Sequence, residues 1–301
     1  MRNRKNTKPK IGLALGMGGA RGLCHIGVIK VLQKAGIKID MIAGVSMGAM
    51  VGAGYAMDLG IERIQTIALE TDWKRLFSLL DIRFHHDGIV DGNRIEDFIK
   101  SHIGNAQFSE ASIPFSVVAT DAESGEKVVF DQGSIAKAVR ASLSIPIFFK
   151  PYSHDGKVFL DGGLCDPVPV KLVREMGADF VVAVSSFSDL KRFFPNDGAS
   201  GEKLKKIIGP RRYADLALDF DEKSGSKTVE KNVAGKRSFN LKDITGRMIS
   251  IMEEHLALPQ LEEADIVITP DMKEIGMLDF TNARDIIGRG ERAAREVLAD
   301  L

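Results

Sequence analysis

Cysteine is nearly absent: Cys24 and Cys165 are the only two, and neither stands in a Cys-x-x-Cys or zinc-binding spacing. No disulfide framework, metal site or cofactor is therefore suggested, and a reducing cytoplasmic setting is expected. Net charge is missing too, since 41 Lys and Arg balance 41 Asp and Glu. No general field draws the chain to nucleic acid or to anionic lipid, and nucleic acid is set aside as a partner. No uninterrupted apolar run is long enough to span a membrane. One stretch, Ile11 to Ala20 behind the basic residues Arg2, Arg4, Lys5, Lys8 and Lys10, superficially resembles a secretion signal. Gly12, Gly16, Gly18 and Gly19 would break its helix and Arg21 interrupts it, so a soluble protein with a basic tail over 1–10 is expected.

What is present is a chain of 301 residues, 44% of them hydrophobic, enough for one large core. Strand-like runs at 11–15, 41–45, 115–120, 127–130, 157–160, 180–184 and 266–268 alternate with helical patterns at 23–35, 47–57, 94–103, 134–141 and 168–176. That order predicts an α/β fold: a mostly parallel, doubly wound sheet with helices on both faces and one antiparallel turn at Glu123-Ser124-Gly125. A single domain over 11–301 is expected, interrupted at about 187–245 by a polar insertion. The insertion holds thirteen Lys and Arg against nine Asp and Glu, with Phe193, Phe194, Tyr213, Phe220 and Phe239 interleaved. It reads as a surface insertion, with a membrane surface or a protein partner as alternatives. Helical patterning resumes from Ile244 through His255.

Three clusters could carry chemistry. In Gly44-Val45-Ser46-Met47-Gly48, glycines two residues either side of a serine permit a sharp strand-to-helix turn that projects the hydroxyl, the context a nucleophile needs. A serine that merely caps the helix is the alternative. In Gly16-Met17-Gly18-Gly19-Ala20-Arg21-Gly22, a glycine loop between strand and helix can aim backbone N–H groups at an anion. The dinucleotide fingerprint fails at Arg21 and no P-loop Lys follows, so an oxyanion hole is the better functional reading beside a plain packing turn. In Asp161-Gly162-Gly163, a strand ends in an aspartate at the sheet edge where ligands bind, although Asp-Gly-Gly alone is usually a turn; the same turn reading is given to Asp166.

A serine nucleophile normally takes a histidine base. None of the six is well placed: His25 lies on an apolar helix stretch, His85 and His86 are adjacent, and His102 and His154 lack a motif. His255 follows Asp161 but sits in a polar helical stretch beside Glu253 and Glu254. The residues point to a dyad.

In that order, the three clusters resemble the oxyanion loop, nucleophile elbow and catalytic acid of the patatin-like phospholipases. The segments AVRASLSIPIFFKP (138–151) and FVVATDAESGEKVVFDQG (116–133) are also similar to bacterial members. Met17 and Ile147 depart from the common pattern, departures expected to alter the pocket while sparing the named catalytic positions. The resemblance implies Ser46 as nucleophile, Asp161 as base, Gly18 and Gly19 as oxyanion donors with Arg21 bracing the loop, and Gly16, Gly22, Gly44, Gly48, Gly162 and Gly163 in support. It implies a lipid or other acyl-ester substrate, an acyl-serine intermediate, no metal or cofactor, and transient contact with the inner membrane surface. Acyl transfer from the same intermediate, or a weakly active scaffold of this fold, are the alternatives. A free aspartate, with a pKa of about 3.9, is a weak base at neutral pH, so desolvation or a short bond to Ser46 is expected to compensate. The apolar stretch from Trp73 to Leu80 reads as a core or lid-packing helix, with an acyl-facing cap as the alternative.

Overall fold

The computed structural model describes residues 8–73, 93–146, 148–187, 198–208 and 241–299. Eight strands, β1 (Ile11–Leu15), β2 (Met41–Val45), β3 (Phe115–Asp121), β4 (Lys127–Phe130), β5 (Tyr152–His154), β6 (Lys157–Asp161), β7 (Phe180–Val184) and β8 (Ile266–Ile268), form one sheet. Their order is β5-β6-β3-β2-β1-β7-β8, with β4 also paired to β3. The helices are α1 (Cys24–Lys34), α2 (Met47–Ala56), α3 (Ile61–Glu70), α4 (Asn93–Ile103), α5 (Ile135–Ser142), α6 (Val170–Glu175), α7 (Gly198–Ile208), α8 (Leu241–Leu261) and α9 (Ala283–Ala299).

The central strands β1, β2 and β7 are buried along their whole length and run parallel, as near-continuous apolar runs do when helices cover both faces. Alternation divides their side chains between two cores. Leu13, Leu15, Ile42, Val182 and Val184 join the helices α1, α2, α3, α5 and α9 on one face, and Ala14, Ala43, Val181 and Ala183 join α6 and α8 on the other. Each fully buried Leu or Val contributes about 1.5–3 kcal/mol.

The antiparallel part of the sheet is larger than the single expected turn, because β6 pairs antiparallel with both β3 and β5. It also sets up the site. Backbone groups alternate between the two edges of a strand. Near β3, Pro114 O accepts from Ile42 N (3.0 Å) and Ala122 N donates to Val158 O (2.8 Å), so even-numbered positions face both β2 and β6. Asp121 N donates to Glu126 O (2.9 Å), so odd-numbered positions face β4. Strands β2 and β6 thus share one edge of β3, running toward each other, and their carboxyl ends meet where Val45 lies opposite Val118 and Asp161 opposite Ala119.

The span read as a polar insertion contains the regular helix α7, which buries Leu204 and Ile207. Residues 188–197 and 209–240, with Phe193, Phe194, Tyr213, Phe220 and Phe239, lie outside the described residues, as do residues 74–80, His85, His86 and Ile147. Trp73 is a core residue: its indole donates to Ala68 O (2.7 Å) and stacks on Phe280 with centroids 4.9 Å apart. Among the described residues no helix is long and apolar enough to cross a membrane.

Candidate active site

Ser46 follows β2 directly and adopts φ 54°, ψ −121°, a left-handed conformation that costs a non-glycine residue about 1–3 kcal/mol. The surroundings enforce it. Ser46 N donates to Ser142 Oγ (2.7 Å), and Ser46 O accepts from Ala49 N (3.0 Å) and Met50 N (3.1 Å) at the start of α2. Gly48 must be glycine, since a Cβ there would run into Leu15 O. The hydroxyl makes no capping bond to α2, so the capping role is not the one adopted. Ser46 is wholly buried and its Oγ has no partner within hydrogen-bond geometry.

Asp161, at the end of β6, is held by three bonds. Its amide donates to Ser144 O (3.0 Å), its carbonyl accepts from Thr120 Oγ1 (2.8 Å), and Oδ1 accepts from Gly163 N (2.8 Å). The turn expected of Asp-Gly-Gly therefore occupies only one carboxyl oxygen; Oδ2 is buried and unpartnered. Burial pushes the carboxyl up to about 7, against the opposing pull of the Ser46 hydroxyl and the Gly163 amide. Ser46 is near enough to act on Asp161, yet the geometry leaves the two oxygens short of a formed hydrogen bond: a close approach, not a closed contact. Desolvation, not a short bond, raises this aspartate toward neutrality.

One segment that the sequence reading left without a role clamps both partners. Ser142 holds the Ser46 amide and, two residues on, Ser144 O holds the Asp161 amide. Arg140, itself buried, donates to Ser144 Oγ (2.7 Å) and to Lys150 O (3.0 Å). The signal lay in the 138–151 stretch, whose hydroxyls and buried arginine are costly in a core unless each has a partner.

The glycine loop leaves β1 with its ends pinned. Gly16 N donates to Val184 O (3.0 Å), Met17 N to Pro167 O (2.9 Å), and Ser186 Oγ to Met17 O (2.8 Å). Ala20 N donates to Met277 O (2.7 Å) and Arg21 Nε to Ile275 O (2.7 Å). No acceptor among the described residues takes the Gly18 or Gly19 N–H. Gly19 sits at φ 54°, and a Cβ there would collide with Met277 O. His25 is fully buried with Nε2 2.7 Å from Gly16 O, and burial lowers its pKa to about 4. The neutral ring donates through Nε2 and holds the loop.

Helix α8 brings an unforeseen group. His255 is exposed, with its Nδ1 2.8 Å from Ile251 O in its own helix, whereas Glu253 is 3% exposed with Oε2 unpartnered. Burial and the neighbouring Asp161 raise Glu253 to about 8, and Arg21 opposes them. Arg21 itself is lowered by burial and by Arg247. The reversal follows from helical geometry: residues two apart point to different sides. Asp166 also departs from its expected turn role, pairing with Lys127 at 3.2 Å. His102 packs edge-on against Phe98 at 4.7 Å, and His154 stands 3.5 Å from Asp155.

An apolar cavity that opens in part to solvent lies along α2. Met47, Met50, Val51 and Gly54 line it on one helical stripe, with Leu23 and Trp73 among the facing residues. Neither Ser46 nor Asp161 lines the cavity; Met47 is the link between it and the elbow. Among the described residues there is no cluster of three or more His, Cys, Asp or Glu placed to hold a metal ion.

A family model described as Patatin-like phospholipase matches residues 13–174. An uncharacterized NTE family protein of Mycobacterium tuberculosis is 37% identical over 185 residues, 62% of this chain and 51% of that protein. The neuropathy target esterase sws of Drosophila melanogaster is 32% identical over 226 residues, 70% of this chain and 16% of the esterase. The chain thus spans about half the length of the mycobacterial relative. The crystal structure of VipD from Legionella pneumophila aligns over 97% of this chain and 67% of that one, with a TM-score of 0.48 and 14% identity. With more than half of its length matched by the family model, the chain belongs to the patatin-like phospholipase family.

Proposed function

We propose that the chain is a serine-dependent lipid acyl hydrolase, of phospholipase A or lysophospholipase type, working through a Ser46–Asp161 dyad. The observation that carries this reading is the pair of buried, unpartnered oxygens, Ser46 Oγ and Asp161 Oδ2, at the abutting ends of β2 and β6. Asp161 takes the Ser46 hydroxyl proton as Oγ attacks the ester carbonyl. The carbonyl oxygen becomes negative and is met by the Gly18 and Gly19 N–H groups, fixed in advance by the loop. Collapse breaks the ester bond, the leaving alcohol carries off the proton from Asp161, and an acyl-serine remains. Water then gives a proton to Asp161 and attacks the acyl carbonyl. The fatty acid leaves as Ser46 recovers its proton. An acyl chain lies in the apolar cavity that begins at Met47.

A fluorophosphonate probe, with the adduct located by peptide mass spectrometry, tests this reading. A stoichiometric adduct on Ser46 that is lost in Asp161→Asn and kept in His255→Ala is expected. An adduct lost in His255→Ala while the protein stays folded would replace the dyad with a triad.

A further inference from the structure

Five of the large apolar side chains left exposed among the described residues stand on α8: Ile244 (44%), Met248 (57%), Ile251 (40%), Met252 (60%) and Leu256 (38%). Their spacing of four, three, one and four places them on one helical face, about 18 Å long at 1.5 Å per residue. The opposite face is buried. Glu253, Ala257 and Leu261 point inward; Ala257 and Leu261 share a core with Met17 of the glycine loop, and Glu253 lies within the electrostatic reach of Asp161 and Arg21. Gln260 Oε1 accepts from Val168 N (3.1 Å), fixing the helix to the segment that follows Asp161. One helix therefore has the catalytic aspartate on its inner side and an apolar stripe on its outer side.

An apolar stripe of this size on one exposed helix face marks a contact face. Its charge favours one kind of partner. Between Ile244 and Leu256, Arg247 is exposed while the acids Glu253 and Glu254 are buried and half-buried. An apolar stripe flanked by a cation matches a helix lying flat in an anionic lipid surface. A second copy paired through α8 would bring no exposed acid from this stripe to meet Arg247.

We propose that the outer face of α8 docks on an anionic phospholipid surface and so seats the site beneath it against its substrate. The choice of lipid rests on the hydrolase reading, but the docking is measured without turnover. This assigns the membrane contact to α8 and not to the 73–80 stretch.

Flotation of the Ser46→Ala chain with vesicles of phosphatidylcholine and phosphatidylglycerol, and with phosphatidylcholine alone, is the test. The chain is expected to float with the mixed vesicles, and Met248→Gln combined with Met252→Gln to lower the floated fraction about tenfold at unchanged melting temperature. In the chain with Ser46 intact, that double variant is expected to hydrolyse a soluble butyrate ester as before and vesicle phospholipid poorly. Undiminished flotation of the double variant, or no flotation of the parent, overturns the proposal. So does a dimer, seen by light scattering, that the double variant dissolves, since a second copy then covers the stripe. Absence of any ester turnover alongside normal flotation would count against the hydrolase reading only.

Discussion

Glu253 and Asp161 are two buried carboxyls within electrostatic reach of each other, and neither completes a hydrogen bond through its second oxygen. Burial is the main force raising both, Asp161 to about 7 and Glu253 to about 8, and a charge on Asp161 adds to the cost of ionising Glu253.

Stability is expected to fall as pH rises because of this pair. Both pKa values are raised on folding, from 3.8 and 4.5, so between about pH 4 and 8 the folded chain holds protons that the unfolded chain has released. Their favourable contribution is complete below the unfolded values and is lost as pH passes the folded ones. Glu253→Gln should therefore melt like the parent near pH 4.5 and above it at pH 9, at roughly 2–4 °C per kcal/mol for chains of about this size. Calorimetry at both pH values checks the sign; a parent that gains on the variant with rising pH contradicts the assignment.

Activity should run the other way. Asp161 accepts a proton only when ionised, so kcat/KM for a soluble ester should rise tenfold per pH unit below about 7 and level off above it. His25, at about 4, does not contribute to that limb. Glu253→Gln should leave the limb in place, and a pH–rate profile of the two proteins decides.

Ser142→Ala should weaken the elbow. It strips the buried Ser46 amide of its acceptor, at about 1–3 kcal/mol, and frees a residue in a strained conformation. A lower melting temperature with kcat reduced more than KM is expected from steady-state kinetics. A rise in KM with kcat unchanged would mean that Ser142 serves binding instead.

Met50→Trp should shorten the preferred acyl chain by filling the cavity along α2. Discrimination by pocket volume is worth about 1–3 kcal/mol. The ratio of kcat/KM for palmitoyl over butyryl esters should fall 10-fold or more, with butyryl turnover retained. An unchanged ratio places the acyl chain elsewhere.

Much of this architecture is legible in the sequence for definite reasons. Strands β1, β2, β4, β7 and β8 have the expected bounds because each is a compact run closed by a turn. The elbow was visible because Gly44 and Gly48, each required by close backbone contacts, fall within one five-residue stretch around Ser46. What escaped was short, masked by polarity, or non-local. Strand β5 is Tyr152-Ser153-His154, which has neither the length for a period nor the apolar run that marks the equally short β8. Helix α9 carries a clear buried stripe of Ile286, Ile287, Gly290, Ala294, Val297 and Leu298, but its arginines and acids conceal it. Helix α3 was also unforeseen, although Ile61, Ile64 and Ala68 are spaced for one face. Glu253 is beyond reading from sequence, because nothing in Glu253-Glu254-His255 says which of the three turns inward.

The abutment of β2 and β6 on a single edge of β3 makes the reactive geometry insensitive to chain length. Ser46 and Asp161 are far apart in sequence, and the connections between them outside β3, the start of α2 and the Arg140–Ser144 clamp could grow or shrink, provided they return the strands to the same rungs. Lengthening the β4–α5 connection would not move the hydroxyl relative to the carboxyl. The scaffold thereby separates the part that must stay constant from the parts free to diversify, and one strand is the ruler for both.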